Sequence, residues 1–335
     1  MKNKERKNKK PHIFTIMCIV VDICAALCFF AVYGPISDLR DWLIPTAMTT
    51  GKHKWIAYTF FSKDYVDKTI NSMWVKGGSD SDESAIEFKD YSNVTVFANE
   101  YEEQILKKNE GNDLYKIIEI EEENYSGFIT VIYDAKRLVY VQAGKPEGDR
   151  VENMVAREGA ILGINASGFK LDQNSDKIYP KSTMIKDHEV LHDTGKSKAK
   201  IIAMTDEGVL KLMTCSAKEA VERGAKWGVE FGPFLIVDGV STEYSGRWIY
   251  GRHPRTAIGQ RKDGIVLLMT IDGRGHNGSH GVTVDQLTDI FARYGCINAA
   301  NLDGGGSSTL IENGKLLNHS SDNGGRYVYD AIILK

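Results

Sequence analysis

Apolar and polar positions along most of this chain fall into short runs of strand length. Phe128 to Tyr133 and Arg137 to Val141 are two such runs, divided by Asp134-Ala-Lys. Ile161 to Asn165 is a third, and it empties into the small-residue stretch Ala166-Ser167-Gly168. Ile201 to Met213 folds back at Asp206-Glu-Gly, and Phe234 to Val237 follows a Gly232-Pro233 break and ends in Asp238-Gly239. Arg255 to Gln260 leads through Asp263-Gly264 into Ile265 to Ile271, which is apolar throughout and therefore predicts a central strand of a hairpin. Ile297 to Leu302 reads as another buried strand, and Thr309 to Leu317, two apolar runs around Asn313-Gly314, as a β-hairpin. Helical spacing is rarer. Val151 to Gly159 has it. The clearest helix opens with Thr283 and Gln286 at capping-box spacing, carries Val284, Leu287, Ile290 and Phe291 on one stripe, and stops at Gly295. The fold class expected is α+β, a mixed, largely antiparallel central sheet with packed helices, preceded by one N-terminal transmembrane helix.

That last expectation comes from a different texture at the start. Residues 1–12 carry Lys2, Lys4, Arg6, Lys7, Lys9 and Lys10 against a single Glu5, a cytoplasmic basic arm. Ile13 to Tyr33 is apolar except for Thr15 and Asp22, long enough for roughly 30 Å of hydrocarbon. The basic cluster puts the N-terminus in the cytoplasm and the C-terminal domain outside the cell, on a single-pass anchor. A cleaved signal peptide is the alternative, disfavoured by the length of the run and by the lack of a clear small-x-small site. Residues 34–124 are expected to form a stalk or accessory region. It holds a candidate helix within 46–74, a polar loop from Gly77 to Ser84, and an acid block, Glu119 to Glu123, that reads as a solvated face. Residues 125–335 are the expected catalytic domain.

The chain has 335 residues, 42% of them hydrophobic, enough for one large core or two smaller ones. Its net charge is −3, and removing the arm's +5 leaves about −8 for the rest. An acidic body argues against nucleic acid as a partner, so any phosphate must be held by a few placed basic groups. Cys18, Cys24 and Cys28 lie in the apolar segment. Cys215 and Cys296 each sit beside an apolar run, with two buried free thiols the default and one disulfide the alternative.

The chemistry concentrates at Asp303-Gly304-Gly305-Gly306-Ser307-Ser308, where a carboxylate at a strand end is followed by three glycines and two hydroxyls. Glycines admit a ligand close to the backbone and aim successive N–H groups at it. A nucleotide P-loop would need Lys-Ser/Thr opening a helix, and here no Lys is present and a strand follows. Two other strands finish in polar loops, at Asn165-Ala-Ser-Gly168 and at Asp272-Gly-Arg274, the latter leading to His276, Ser279 and His280. If the three ends share one side of the sheet, they make a single pocket. His188-Glu189-Val-Leu-His192 matches the zincin pattern, but its flanks read as strand, turn, strand, and Pro180 and Gly195 leave little room for the long helix that motif requires. No metal site is assigned. Carboxylates near glycine loops could hold Ca2+, though no ligand spacing specifies it.

At these residues the chain resembles the phosphodiester glycosidase family, the NAGPA-domain proteins. The resemblance is carried by Asn165-Ala-Ser-Gly-Phe169, Phe231-Gly-Pro233, Arg255-Thr-Ala-Ile-Gly259, Asp272-Gly-Arg274, Ser279-His-Gly281, Asn301-Leu-Asp-Gly-Gly-Gly-Ser-Ser308 and the Arg326 segment, over about residues 120–335. Two departures stand out. Asp330 occupies a position where Asn is common, and Ala166-Ser167 replaces a Gly pair. The resemblance implies cleavage between the anomeric carbon and the phosphate oxygen of a sugar-1-phosphodiester, with a glycan or phosphoglycan as the partner and no cofactor. Because the leaving phosphate is acidic, it needs charge neutralisation more than a strong acid. Arg255 and Arg274, with the N–H groups of Gly304, Gly305 and Gly306 and the hydroxyls of Ser307 and Ser308, are the expected phosphate binders. Asp303 is the first choice for the carboxylate at the anomeric centre, with Asp272 and Glu230 behind it. Asn165 is expected to orient a sugar hydroxyl, and Ser167, Gly168, His280 and Arg326 to line the substrate site. The alternatives are a non-catalytic surface protein of glycan binding or exopolysaccharide assembly, and a zinc hydrolase at His188 and His192.

Overall fold

Every strand pairing among the described residues is antiparallel, as the succession of hairpins predicts. The computed structural model describes residues 12–35, 38–49, 54–71, 75–89, 94–172, 175, 177–244, 251–322 and 325–335. The chain divides into two units, Met1–Met73 with Gly246–Trp248, and Trp74–Ser245 with Ile249–Lys335.

Among the described residues the second unit holds three large sheets and two two-stranded ones. The largest has seven strands in the order Val240–Ser241, Phe234–Val237, Cys296–Asn301, Arg255–Arg261, Val266–Ile271, Tyr125–Ile132 and Tyr115–Glu122. Val266–Ile271 is buried along its whole length and paired on both sides, which is what its unbroken apolar sequence requires. A five-stranded sheet runs Lys315–Leu316, Leu310–Glu312, Leu162–Asn165, Asp330–Leu334 and Leu138–Gln142. The third runs Leu210–Cys215, Ala199–Met204, Trp227–Glu230, Met184–Lys186 and Glu189–His192. One cluster of buried side chains draws on all three, including Ile258, Leu268 and Ala300, then Leu162, Ile164 and Ile332, then Ile202, Leu212 and Trp227. Each large apolar side chain removed from water there contributes roughly 1.5–3 kcal/mol. Trp227 also satisfies its indole N–H, which donates to the Leu138 carbonyl at 3.0 Å.

The Val284–Arg293 helix forms with both halves of its Thr283–Gln286 capping box, and Val284, Leu287, Ile290 and Phe291 are buried. Phe291 explains the glycine of Arg255-Thr-Ala-Ile-Gly259. A Cβ on Gly259 would stand 2.7 Å from its ring. Cys215 and Cys296 are buried free thiols.

The larger unit begins at Trp74, so it takes in residues 75–124, which the sequence sets apart as stalk. Tyr115–Glu122 is the edge strand of the seven-stranded sheet, and Glu119, Glu121, Glu122 and Glu123 are exposed on it and just beyond it. In the smaller unit, helices Asp38–Thr49, Lys54–Phe60 and Lys63–Asn71 gather Ile44, Ala47, Ala57, Phe61 and Val66 into a core of their own. The expected transmembrane helix over 13–33 is corrected. Residues His12–Tyr33 are helical, with Asp22 in the middle, a group that hydrocarbon disfavours. Among the described residues no helix is long and apolar enough to cross a membrane. Residues 1–11 of the basic arm lie outside the described residues.

Candidate active site

Sheet register delivers Asp303 to its place. Strand Cys296–Asn301 pairs with Arg255–Arg261 so that Asn301 faces Ala257, and the Leu302 N–H donates to the Thr256 carbonyl at 2.8 Å. The chain therefore leaves the sheet beside Pro254-Arg255. The Asp303 N–H donates to the carbonyl of Ala166, 2.9 Å away, in the loop after strand Leu162–Asn165. Asn165 fixes that meeting point. Its Oδ1 accepts from Thr256 Oγ1 at 2.8 Å and from the Thr309 N–H at 3.1 Å, and its Nδ2 donates to the Asp303 carbonyl. This buried amide is spent on bracing three segments. It acts as a positioning residue for the turn.

The glycine turn is tight for reasons specific to each position. A Cβ on Gly304 would come within 2.7 Å of the Pro254 carbonyl oxygen. Gly305 has φ +65° and donates its N–H to that oxygen at 2.8 Å. A Cβ on Gly306 would stand 2.7 Å from Asp322 Oδ2 and 3.0 Å from Arg326 Cζ. Ser307 is buried, and its hydroxyl hydrogen-bonds the Asp303 carboxylate. Ser308 Oγ is buried with no hydrogen-bond partner among the described residues.

Burial pushes the partly buried Asp303 carboxyl up to about 6, against the opposing pull of Ser307, Arg326 and Lys181 and with the help of Asp330. Asp330 is fully buried. Its oxygens accept from the Ser167 N–H at 2.7 Å, from the Ser167 hydroxyl, and from Tyr140 Oη at 2.9 Å. Burial raises its proton affinity as well. Residues 165–167 thus hold the Asp303 backbone on one side and a second carboxyl on the other. Gly168 follows, its carbonyl accepting from Ser182 Oγ at 3.3 Å and its α-carbon lying against the Phe231 ring.

The structure separates several of the remaining candidates from Asp303. Thr256 turns its hydroxyl to Asn165, so Arg255, one position earlier on the strand, turns to the other face. There its Nε donates to the Val282 carbonyl at 3.2 Å and its Nη2 to the Gly251 carbonyl at 3.0 Å, and burial lowers its affinity for the proton to about 10. Arg255 is committed to backbone oxygens and does not line the carboxylate. Burial alone would raise Glu230, but bonds from Lys196 at 2.5 Å, Thr194 at 2.8 Å and Thr183 at 3.0 Å hold it below the usual carboxylate range. Asp272 is buried against Asn318 and His319. Arg274 is exposed and does reach the turn, with Nη2 3.1 Å from where a Cβ on Gly305 would lie and Nη1 on Ser321 Oγ at 3.1 Å. His280 is exposed, and its backbone N–H donates to the Asn124 carbonyl at 2.9 Å.

The His188–His192 run forms the strand, turn and strand that its flanks predict, with Asp187 and His188 at positive φ. His188 Nε2 is 2.9 Å from Asp206 and His192 Nδ1 is 2.8 Å from the Ser182 carbonyl, so the two imidazoles serve different partners. Among the described residues no group of three or more His, Cys, Asp or Glu could hold a metal ion. A surface hollow of about 510 Å³ lined by Tyr125, Gln286, Asp289, Ala292 and Arg293 shares no residue with the Asp303 site and brings no acid and cation to a glycine turn.

The profile of the phosphodiester glycosidase family matches residues 158–335, more than half of the chain and all of the loops just described. The chain belongs to the phosphodiester glycosidase family. Similar proteins include the SPbeta prophage-derived uncharacterized protein YomE of Bacillus subtilis (strain 168), 33% identical over 198 residues, 57% of this chain and 30% of that one. The bovine N-acetylglucosamine-1-phosphodiester alpha-N-acetylglucosaminidase is 35% identical over 107 residues, 30% of this chain and 20% of the bovine protein. The chain thus spans less than a third of the length of these curated relatives. The zebrafish catalytic domain of that enzyme, auto-inhibited by its pro-peptide, superposes with a TM-score of 0.56 at 19% identity, covering 68% of this chain and 85% of the zebrafish domain, and so shares the fold.

Around this phosphodiester glycosidase site, the sequence reading missed Lys181, Asp322 and His319, and it named Ser167 and Asp330 without the Tyr140 hydroxyl that joins their cluster. Tyr140 and Asp330 are 190 positions apart, so nothing local announces their bond. Lys181 is a lone lysine after Pro180, in a stretch without periodicity. Asp322 and Arg326 pair through Arg326 Nε outside any helix, where a four-residue spacing announces nothing.

Proposed function

We propose that this domain hydrolyses the bond between the anomeric carbon and the phosphate oxygen of a glycosyl-1-phosphodiester in a surface polysaccharide or phosphoglycan. The observation that carries the reading is Asp303, a carboxylate lifted to about 6 by burial yet facing Arg326 and Lys181 beside a three-glycine turn. A carboxyl poised near the working pH is suited to accept the proton of an attacking water. Cations beside it can neutralise the phosphate as the glycosidic bond breaks and its electron pair moves to the phosphate oxygen. Arg274 keeps the phosphate role the sequence gave it, and Arg326 and Lys181 take the place of Arg255. Asn165, Ser307 and the Asp330 cluster keep the carboxylate in place. Family membership supports the reaction class, and N-acetylglucosamine is the first sugar to try because three of the relatives are named for it.

The test is incubation of the full chain with the methyl diester of N-acetylglucosamine 1-phosphate, followed by phosphorus NMR for the monoester and by chromatography for free sugar. Release of both by the wild type and not by Asp303→Asn is expected. Tight binding without release would select the glycan-binding alternative instead.

A further inference from the structure

A second ionisable pair, apart from Asp303, has no part in the chemistry above. Asp272 follows strand Val266–Ile271 and is 1% exposed, with Oδ1 accepting from Asn318 Nδ2 at 3.0 Å and Oδ2 3.3 Å from His319 Nδ1. The His319 side chain is 55% exposed. A buried carboxylate that takes the Nδ1–H of an imidazole fixes the ring's tautomer and orientation, and leaves Nε2 as the free nitrogen.

The pair stands on the wall of the Asp303 site. Asn318 also donates to the Ser308 carbonyl at 3.1 Å, which ties the segment to the far end of the glycine turn. Two residues past His319, Ser321 accepts from Arg274, and Asp322 accepts from Arg326. Arg274 lies against Gly305 and Arg326 against Gly306. One segment therefore holds two guanidinium groups along the turn and presents an oriented imidazole beside them.

We propose that His319, held by Asp272, contacts the substrate phosphate through Nε2 and completes, with Arg274 and Arg326, the phosphate side of the site. This rests on the glycosyl-phosphodiester reading above. Protonated, His319 donates Nε2–H to a phosphate oxygen. When the anomeric C–O bond breaks, its electron pair goes to the bridging oxygen and the His319 proton follows, so the phosphate departs as the protonated monoester. The attacking water gives its hydroxyl to the sugar and its proton to Asp303. Asp303 releases that proton to solvent and solvent returns one to His319, so the balance is one water consumed per bond cut.

The experiment is calorimetric titration of the full chain with N-acetylglucosamine 1-phosphate and with inorganic phosphate, for the wild type, His319→Asn and His319→Gln. Asn retains a donor where Nδ1 stands and lacks Nε2, whereas Gln can reach toward the Nε2 position. Loss of one hydrogen bond to a charged group predicts roughly tenfold weaker binding of both ligands in His319→Asn, partial recovery in His319→Gln, and unchanged circular dichroism. Equal affinities in wild type and His319→Asn overturn the inference, and so does a wild type that binds neither ligand. Diester turnover is scored separately. Phosphate binding lost in His319→Asn with no turnover in the wild type removes the hydrolase reading and keeps the phosphate wall. Wild-type turnover with an unchanged KM in His319→Asn removes His319 and keeps the hydrolase.

Discussion

Replacing Asp303 by Asn tests whether the fold gives up stability for a poised carboxylate. Its proton affinity rises from the ordinary 3.8 to about 6, chiefly through burial. At about 1.4 kcal/mol per pH unit, keeping Asp303 ionised in the folded chain costs on the order of 2–3 kcal/mol. The direction follows from proton counting. Below about pH 4 both folded and unfolded chains hold the proton and the group contributes nothing. Between about 4 and 6 the folded chain keeps a proton that the unfolded chain has lost, so stability from this group falls as pH rises, and above about 6 the full cost is present. Asn carries no charge and can still accept from Ser307. Asp303→Asn should therefore match the wild type in urea unfolding near pH 4 and exceed it by about 2–3 kcal/mol at pH 7.5, with a melting temperature higher by roughly 5 °C. Turnover should drop by roughly 10²–10⁴, the usual contribution of a placed acid–base group. A variant that is no more stable than the wild type at pH 7.5, or a stability gap that is the same at both pH values, would refute the reasoning about burial. Retained turnover would refute the role.

Three further substitutions probe the surroundings. Arg326 pulls the Asp303 proton affinity down, so Arg326→Gln should move the acidic limb of the kcat/KM profile to higher pH and raise KM, as pH-dependent kinetics will show. Gly306→Ala pushes a methyl to within 2.7 Å of Asp322 Oδ2 and 3.0 Å of Arg326 Cζ, and should raise KM severalfold with little change in the urea midpoint. Arg255→Lys loses a fork that serves two backbone carbonyls, and should cost about 1–3 kcal/mol in urea unfolding while leaving KM for the diester unchanged.

The strand ends and the glycine turn were legible because each is a local signal, an apolar run closing on a polar or small residue. That is why Asn165, Asp303 and Ser307 meet as the pattern suggested. Arg255 was misread because alternation tells that Thr256 and Arg255 oppose each other but not which of them faces the acid. That choice is made by Asn165, 91 positions away, which takes the Thr256 hydroxyl. Glu230 closes the strand Trp227–Glu230, and the residues that engage it, Thr183, Thr194 and Lys196, flank the two ends of the Met184–His192 hairpin, a meeting no local pattern announces. The acid block at Glu119 to Glu123 was rightly placed in water, yet Ile120 between its members is buried, and the strand that carries it is paired along its whole length in the large sheet. The apolar start of the chain was read for length, and its helix does not meet the requirement for crossing a bilayer.

The three successive glycines have one more consequence. At Gly304 a methyl meets a carbonyl oxygen, at Gly305 the backbone is left-handed, and at Gly306 a methyl meets the ion pair. None of the three can acquire a side chain without moving something essential, so this turn is closed to gradual change. His319 and Arg274, which are open to water, are under no such restriction. Any drift in which sugar phosphate is accepted would have to begin with those side chains, while the glycines stay as they are.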